Sequence, residues 1–330
     1  MKPFNDAVEA ARKKAALFES FPRALLALRG KDRSRFLHNI LTHDIKGLPP
    51  GQGRQACLLD RQGKIRFCCI VHADPEELVL EMDPSQLPAA KRELEHYLVS
   101  EEVQFQEVTD QYRIVPLHGP LAFNCLTRSW PQAELPASSL SKRPGPAGTG
   151  IRQILRWDLF RMPGFHLWVE PQRETQIRKT LLQRGEPLGL ITAGPEIFEI
   201  LRIEAGVPWP NVEMNETVIV NELDNEDLIS YTKGCFVGQE IAARIKHRAH
   251  PPRLLKGFLL EGTVIPPRES AIRSQSEKVG LVTSACFSPT LNRAIALGFL
   301  KYGTETTEFR IETPSGDCTA TLTELPIVAS

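Results

Sequence analysis

The pattern of apolar residues changes after Arg253, and this change constrains the fold more than any other feature of the sequence. Short apolar runs such as 254–260 and 294–300 are separated there by Pro, Gly, Ser and Asn. Runs of this length with turn residues between them are typical of a small all-β barrel or sandwich. The chain has 330 residues, more than the roughly 250 to 300 at which one hydrophobic core usually divides. We therefore predict a larger region over 1–250 and a C-terminal β-barrel domain over 251–330.

Before this boundary, helical and strand patterns alternate irregularly. Residues 23–30 predict a strand that ends at Gly30, and the next apolar stripe predicts a helix capped by Asp32 or Ser34. A long loop or a partly disordered segment is expected over 131–150, which is rich in Pro, Ser, Ala and Gly. The other predicted elements are a hairpin over 55–71, strands over 78–82, 103–108, 152–160 and 165–170, and helices over 85–98, 172–184 and 196–204. This mixture favours an α+β fold.

The composition excludes several classes of protein. Forty acidic side chains balance forty basic ones, so no overall field favours nucleic acid or an anionic membrane. No apolar run approaches the roughly 20 residues of a membrane span, and the acidic residues near the N-terminus are unlike a secretory or transit signal. We predict a cytoplasmic protein without a membrane partner and without direct nucleic-acid binding.

Seven cysteines occur, an odd number with no CxxC pair. In a chain of this length we interpret them as reduced thiols and not as a disulfide framework. Cys68 and Cys69 lie in an apolar run, where free cysteine packs as a small hydrophobic side chain.

The common chemical signatures are missing, since no GxGxxG, Walker, GxSxG or HExxH motif occurs. His247 and His250 stand among arginines and lysines that would repel a metal ion, so we interpret them as solvated surface and predict no metal site. His38 and His43 flank the end of a predicted helix. Interaction with the helix dipole explains them, and a catalytic role is the alternative.

The stretch 231–245 (YTKGCFVGQEIAARI) places a thiol in a loop framed by two glycines. Cys235 lies just before a predicted helix start, where unpaired amide donors favour a thiolate. Lys233 adds a nearby cation, while Glu240 opposes it, so a modest activation of the thiol is expected. The alternative is a tight turn around a buried cysteine.

The same residues resemble a known family. Residues 233–240 (KGCFVGQE) are similar to the K-G-C-[YF]-x-G-Q-E signature of the YgfZ family, folate-binding relatives of the glycine-cleavage T-protein (aminomethyltransferase). Residues 29–64, 201–208 (LRIEAGVP) and 279–300 also resemble segments of these proteins. The resemblance implies a three-lobed ring, in which two α+β lobes within 1–250 and a C-terminal β-barrel surround a folate site.

The resemblance also implies site residues. Cys235 would be a reactive thiol facing the ligand cavity, with Lys233 beside it. We place Arg202, Glu204, Gly234, Gln239 and Arg244 in the folate-binding set. Arg202 suits a folate carboxylate, because its guanidinium forms paired hydrogen bonds. An internal ion pair is the alternative for Arg202 and the favoured role for Glu204, and a solvated basic face is the alternative for Arg244.

One departure from the T-protein pattern affects the predicted chemistry. T-proteins carry an aspartate on the strand after the first hairpin, but residues 63–69 (GKIRFCC) contain no carboxylate. A second T-protein acid, which recognises the pterin ring, is also missing at 162–165 (MPGF). No group on that strand would act as the acid or base, so classical enzymatic turnover is not expected.

The resulting hypothesis is a monomeric folate-binding accessory protein that supports iron–sulfur cluster assembly or repair, including for tRNA-modifying iron–sulfur enzymes. Its cofactor would be tetrahydrofolate or a one-carbon derivative, and its partners iron–sulfur enzymes or assembly proteins. The alternative is a tetrahydrofolate-dependent aminomethyltransferase or another one-carbon transferase. A binding module for RNA or protein without folate chemistry is disfavoured, because basic and aromatic residues do not interleave.

Overall fold

The computed structural model describes residues 2–329, and the side chains from residue 5 onward. Within these residues the chain forms seven α-helices, which are α1 (Lys2–Lys13), α2 (Arg33–Ile40), α3 (Leu87–Tyr97), α4 (Ala122–Ser129), α5 (Glu174–Gly185), α6 (Pro195–Glu204) and α7 (Gln239–Arg248). The strands are β1 (Ala15–Phe18), β2 (Ala24–Arg29), β3 (Gly53–Leu59), β4 (Ile65–Ala73), β5 (Leu78–Met82), β6 (Gln104–Glu107), β7 (Arg113–His118), β8 (Lys142–Pro144), β9 (Ile151–Arg156), β10 (Gly164–Val169), β11 (Leu190–Ala193), β12 (Arg253–Leu260), β13 (Ala271–Ser274), β14 (Glu277–Ser288), β15 (Arg293–Lys301), β16 (Glu308–Ile311) and β17 (Cys318–Thr323).

The first lobe is an antiparallel sheet in the order β3-β4-β5-β2-β6. Alternate residues of each strand point to opposite faces of the sheet. Phe67 and Cys69 of β4 face one hydrophobic cluster, which also includes buried residues of α2 and α3. Cys68 and Ile70 point to the other face, into a cluster shared with the second lobe and the barrel. One face of this sheet therefore packs against helices of its own lobe, and the other packs against the second lobe and the barrel.

The second lobe is a six-stranded sheet in the order β11-β1-β7-β10-β9-β8. Its β1–β11 pair is parallel and the other pairs are antiparallel. Helices α4 and α5 cover one face with buried residues such as Cys125, Leu126 and Leu181. The opposite face contributes Phe18 and Trp168 to the cluster shared with the first lobe.

The C-terminal strands close into a barrel in the order β12-β15-β14-β13-β16-β17. Every pairing in the barrel is antiparallel. Its own core includes Phe258, Ile272 and Phe309. The predicted fold class, two α+β lobes and a C-terminal β-barrel, is confirmed.

Most of the predicted elements are confirmed within a few residues, as expected when apolar periodicity is strong. The predicted loop over 131–150 is largely irregular but contains β8, which the sequence prediction omitted. Strands β1 and β11 were also omitted. They are only four residues long each, and so short an apolar run does not distinguish a strand from other structure. No helix in the described part of the chain has the length and apolarity needed to cross a membrane.

The cysteines differ in part from their prediction. Cys57 and Cys68 are opposite each other on β3 and β4, and their sulfur atoms are joined in a disulfide. The prediction of reduced thiols was wrong for this pair, because a pairing set by strand register is invisible in sequence spacing. The prediction that Cys68 and Cys69 are buried is confirmed.

Candidate functional site

A cavity of about 630 Å³ lies where the two lobes and the barrel meet. The first lobe contributes residues 52–55 at the start of β3, and the second lobe contributes Trp157 and Arg161. The connection after α6 contributes 206–208, and Lys256 comes from barrel strand β12. All three parts of the fold therefore face one central cavity.

The lining of this central cavity is polar and carries both signs of charge. The ionisable lining residues are His43, Arg54, Arg161 and Lys256 on the basic side and Asp158, Asp224, Asp227 and Glu324 on the acidic side. Burial, assisted by the Arg54 charge, lowers the pKa of His43 to about 4, so its ring is neutral at pH 7. The buried Nε atom of Arg54 has no hydrogen-bond partner among the described residues. Arg54 therefore retains a donor without a protein partner, and Trp157 contributes an aromatic side chain to the same cavity.

Behind the wall of the cavity, three ionisable side chains form a buried chain. Arg23 Nε donates to Glu81 Oε1 at 3.0 Å, and Glu81 Oε2 lies 2.9 Å from His72 Nε2. Burial alone would raise the pKa of Glu81, but the hydrogen bond from His72 and the charge of Arg23 outweigh it and hold that pKa at about 2. Burial also lowers the pKa of His72. At pH 7 this buried row of side chains therefore consists of the Arg23 guanidinium, an ionised Glu81 and a neutral His72 imidazole.

The motif at 233–240 is held against the first lobe. The Lys233 ammonium donates to the backbone carbonyl oxygens of His38 and of Leu41, the latter at 2.6 Å, where α2 ends. Burial lowers the pKa of Lys233 to about 8. Gly238, just before α7, has φ +80°, and a Cβ there would lie 2.4 Å from the Asp60 carbonyl oxygen. Glycine is required at this position both for its backbone conformation and for the close approach.

Cys235 is exposed at the surface of this loop. It is not among the described residues that line the central cavity. We expected its sulfur to face the ligand cavity, whereas the structure holds the two ends of this loop against α2 and the turn at Asp60 through Lys233 and Gly238. The thiol remains accessible to a reagent or partner from solvent.

Arg202 also is not among the residues that line the central cavity, although its Nη1 donates at 3.4 Å to the carbonyl oxygen of the lining residue Val207. Its guanidinium donates to Glu199 at 2.6 Å and to Ser284 Oγ at 2.7 Å, and its Nη1 lies 3.4 Å from Glu213 Oε2. The side chain is 1% exposed. These partners occupy the donors that a folate carboxylate would need. The structure therefore favours the alternative role of Arg202, an internal ion pair, over the expected contact with folate.

The other predicted folate residues are also outside the lining of the cavity. Glu204 is buried and accepts hydrogen bonds from Arg12 at 2.8 Å and from Ser288 of the barrel. Gly234 is exposed, and Gln239 begins α7. The side chain of Arg244 is 60% exposed and pairs with Glu240 of the same helix. The structure does not bring the predicted set together around one ligand.

Sequence reasoning missed the residues that do line or support the cavity. Arg54, Trp157 and Lys256 belong to segments that are distant in sequence and meet only after folding. His72 and Glu81 left a weaker signal. Each is a polar residue in an otherwise apolar strand pattern, and a buried polar residue requires a partner or a function.

Comparisons with known proteins agree with this architecture. A family model for the GCVT N-terminal domain matches residues 1–233, and one for the glycine cleavage T-protein C-terminal barrel domain matches residues 253–328. The chain is 27% identical to an aminomethyltransferase of Streptomyces coelicolor over 298 residues, covering 88% of this chain and 79% of that protein. It is 25% identical to an aminomethyltransferase of Bacillus pumilus over 301 residues, covering 89% of this chain and 81% of the relative.

A solved structure also has the same fold. The glycine cleavage system aminomethyltransferase T from Bartonella henselae superimposes with a TM-score of 0.87, covering 98% of this chain and 89% of the other. The sequence identity in this comparison is 19%. The two chains share the arrangement of two α+β lobes and a C-terminal barrel.

Proposed function

Because this chain belongs to the glycine cleavage T-protein family, we propose that its central cavity binds tetrahydrofolate or a one-carbon derivative. The observation that carries the proposal is the cavity enclosed by all three lobes, about 630 Å³ in volume. Pockets that bury small ligands are typically about 300 to 1,000 Å³. The similarity to aminomethyltransferases suggests folates as the class of ligand to test in this cavity.

The lining residues suit the chemistry of a folate. Folate joins a flat heterocycle to an aromatic ring and a glutamate with two carboxylates. Trp157 offers an aromatic surface, and Arg54 offers a cation with an unused donor. Arg161 and Lys256 add further positive charge on the second lobe and the barrel. Charge-assisted hydrogen bonds from such groups favour carboxylates.

Calorimetric and thermal-shift titrations with tetrahydrofolate and 5-formyltetrahydrofolate test the proposal. We expect saturable binding and a rise in the unfolding temperature, since a ligand that binds only the folded state stabilises it. Arg54→Gln should weaken binding by about 1.5 to 3 kcal/mol, the range for a charged hydrogen bond. Arg92→Gln, on the exposed side of α3, is the control. A wild-type protein that binds neither folate would refute the proposal.

Two uses of the bound folate are candidates. Aminomethyl transfer is favoured by the names of the curated relatives. It requires a group that exchanges protons or stabilises charge beside the folate, and residues 63–69 carry no carboxylate. Cys68 of that strand is bonded to Cys57. The strand thus supplies no carboxylate for this role, and burial raises the pKa of its free thiol, Cys69, to about 12. Glu81 lies on the neighbouring strand β5.

Support of iron–sulfur cluster assembly or repair is the second candidate, including for enzymes that modify tRNA. It is favoured by the resemblance of residues 233–240 to the YgfZ signature and by the accessible thiol of Cys235. An exposed thiol on a fixed loop is open to a protein partner. In this candidate the protein acts with iron–sulfur enzymes or assembly proteins.

One pair of assays separates the candidates. Purified protein is incubated with tetrahydrofolate and a carrier protein loaded with an aminomethyl group, and methylenetetrahydrofolate is measured. We expect no turnover above background, because the strand at 63–69 lacks a carboxylate; sustained turnover would establish the transferase.

In cells lacking the protein, the wild type should restore iron–sulfur enzyme activity and Cys235→Ser should not. Full restoration by the serine variant would show that the accessory function does not require the Cys235 thiol.

A further inference from the structure

His72 has an unused hydrogen-bond acceptor behind the wall of the central cavity. Its ring is fully buried, and its Nε2 lies 2.9 Å from Glu81 Oε2. Because Glu81 is ionised and His72 is neutral, Nε2 carries the proton and donates it to the carboxylate. Nδ1 is then left with a lone pair. This atom has no partner among the described residues.

The position of Nδ1 is set by the pairing of β3 and β4. His72 is directly opposite Gly53, and Gly53 lines the central cavity. A Cβ built at residue 53 would lie 3.1 Å from His72 Nδ1. The missing side chain of Gly53 thus leaves the ring nitrogen next to the cavity. A buried acceptor without a partner is unfavourable unless a ligand or water supplies one.

Leu140 covers this opening. Its carbonyl oxygen would lie 2.9 Å from the same Cβ position at Gly53, and the residue itself lines the cavity. Leu140 has φ +60°, a left-handed backbone conformation that is uncommon for a residue other than glycine. Such conformations concentrate at functional sites. A ligand in the cavity therefore reaches His72 Nδ1 only when Leu140 is displaced from this position.

We infer that His72 Nδ1 binds the heterocycle of the cavity ligand by accepting a hydrogen bond from a ring N–H or amino group. Glu81 and Arg23 are positioning residues that fix the tautomer and the ring orientation. The inference rests on the proposed function, and it assigns the donor-bearing ring of the folate to this wall.

The test uses the full-length protein labelled with ¹⁵N-histidine and 5-formyltetrahydrofolate as the probe. In the free protein, we expect the His72 resonances to show a protonated Nε2 and an unprotonated Nδ1. On saturation, Nδ1 should shift toward the hydrogen-bonded range, while the exposed His96 should not change. His72→Gln should weaken binding at least tenfold, whereas His96→Gln should bind as the wild type does.

Gly53→Ala provides a variant that leaves the His72–Glu81 pair intact. Its methyl group would stand 3.1 Å from Nδ1 and 2.9 Å from the Leu140 carbonyl oxygen, so it blocks the approach to Nδ1. Affinity should fall by a similar factor, while Nε2 of His72 stays protonated in the free protein. Wild-type binding by both variants, together with an unshifted Nδ1, would overturn the inference and leave the folate proposal standing. Failure of the wild type to bind any folate would refute both.

Discussion

The chemistry of the cysteines depends on their burial. Burial raises the pKa of Cys69 to about 12 and that of Cys125 to about 11, and it raises the pKa of Cys286 further. Cys235 is exposed. Because each unit of pKa above the ambient pH reduces the thiolate fraction about tenfold, iodoacetamide should label Cys235 before these three. Mass-spectrometric mapping of a time course measures the order.

Two serine variants complete that experiment. Cys235→Ser should remove the earliest iodoacetamide labelling and change the free energy of unfolding by no more than about 0.5 kcal/mol, as for other surface changes. Cys69→Ser should lose about 1 to 3 kcal/mol, because its hydroxyl is buried without an assured partner. Equal labelling rates at Cys235 and Cys69 would contradict the exposure argument.

We expect Arg202 to stabilise the folded protein and not to bind the ligand. Arg202→Ala leaves Glu213, which is fully buried, without its cation. Removing one partner of a buried ion pair typically costs about 3 to 5 kcal/mol. We expect urea unfolding to show a loss of this size, with unchanged folate affinity in the folded protein. Arg310→Ala, on the exposed face of β16, should have no such effect. A tenfold loss of folate affinity at unchanged stability would restore the ligand role of Arg202.

At the scale of elements, the loop that leads into α7 depends on Gly238. Gly238→Ala combines an unfavourable φ with a contact of 2.4 Å to the Asp60 carbonyl oxygen. Gly262 also has φ +80°, but a Cβ there would meet nothing within 4 Å. Gly262→Ala therefore measures the backbone cost alone, about 1 kcal/mol, and Gly238→Ala should cost clearly more in chemical denaturation. Equal losses would mean that the loop moves freely away from Asp60.

The sequence predicted elements better than it predicted the site. The hairpin of β3 and β4 was expected because two apolar runs flank a turn, and the barrel because short runs repeat between turn residues. The site depends on which distant segments meet. Nothing in the local pattern places Trp157 and Arg54 in the same cavity, or Ser284 beside Arg202. The motif at 233–240 can be singled out from the sequence, but the position of its thiol cannot, because the anchoring of Lys233 at the end of α2 is a tertiary contact.

At the scale of the whole molecule, buried histidines make stability depend on pH. Burial lowers the pKa of His72 and His118, and that of His166 to about 4. Below pH 6.5 the unfolded chain takes up protons that the folded protein excludes. The buried histidines add no pH dependence above that pH, and their contribution to stability should fall as the pH decreases from 6.5 toward 4, by about 1.4 kcal/mol per unit for each proton.

Urea unfolding at pH 8, 7, 6, 5 and 4.5 measures this slope. His166→Gln should make the slope shallower, since the variant no longer has that buried imidazole. The exposed His247→Gln should leave it unchanged. A wild-type stability that is flat between pH 7 and 4.5 would contradict the burial argument.

The ion pairs of α6 also have an evolutionary consequence. Arg202 and Glu204 lie within the segment matched by one family model, while their partners Ser284 and Ser288 lie within the segment matched by the other. Inheritance of the two segments is therefore not independent. An exchange of the barrel for another β-domain would have to bring hydroxyl groups to the same two places, or Arg202, Glu213 and Glu204 would each lose one buried hydrogen bond. Substitutions on α6 and on β14 should accordingly be accepted together, as compensating pairs, and rarely one at a time.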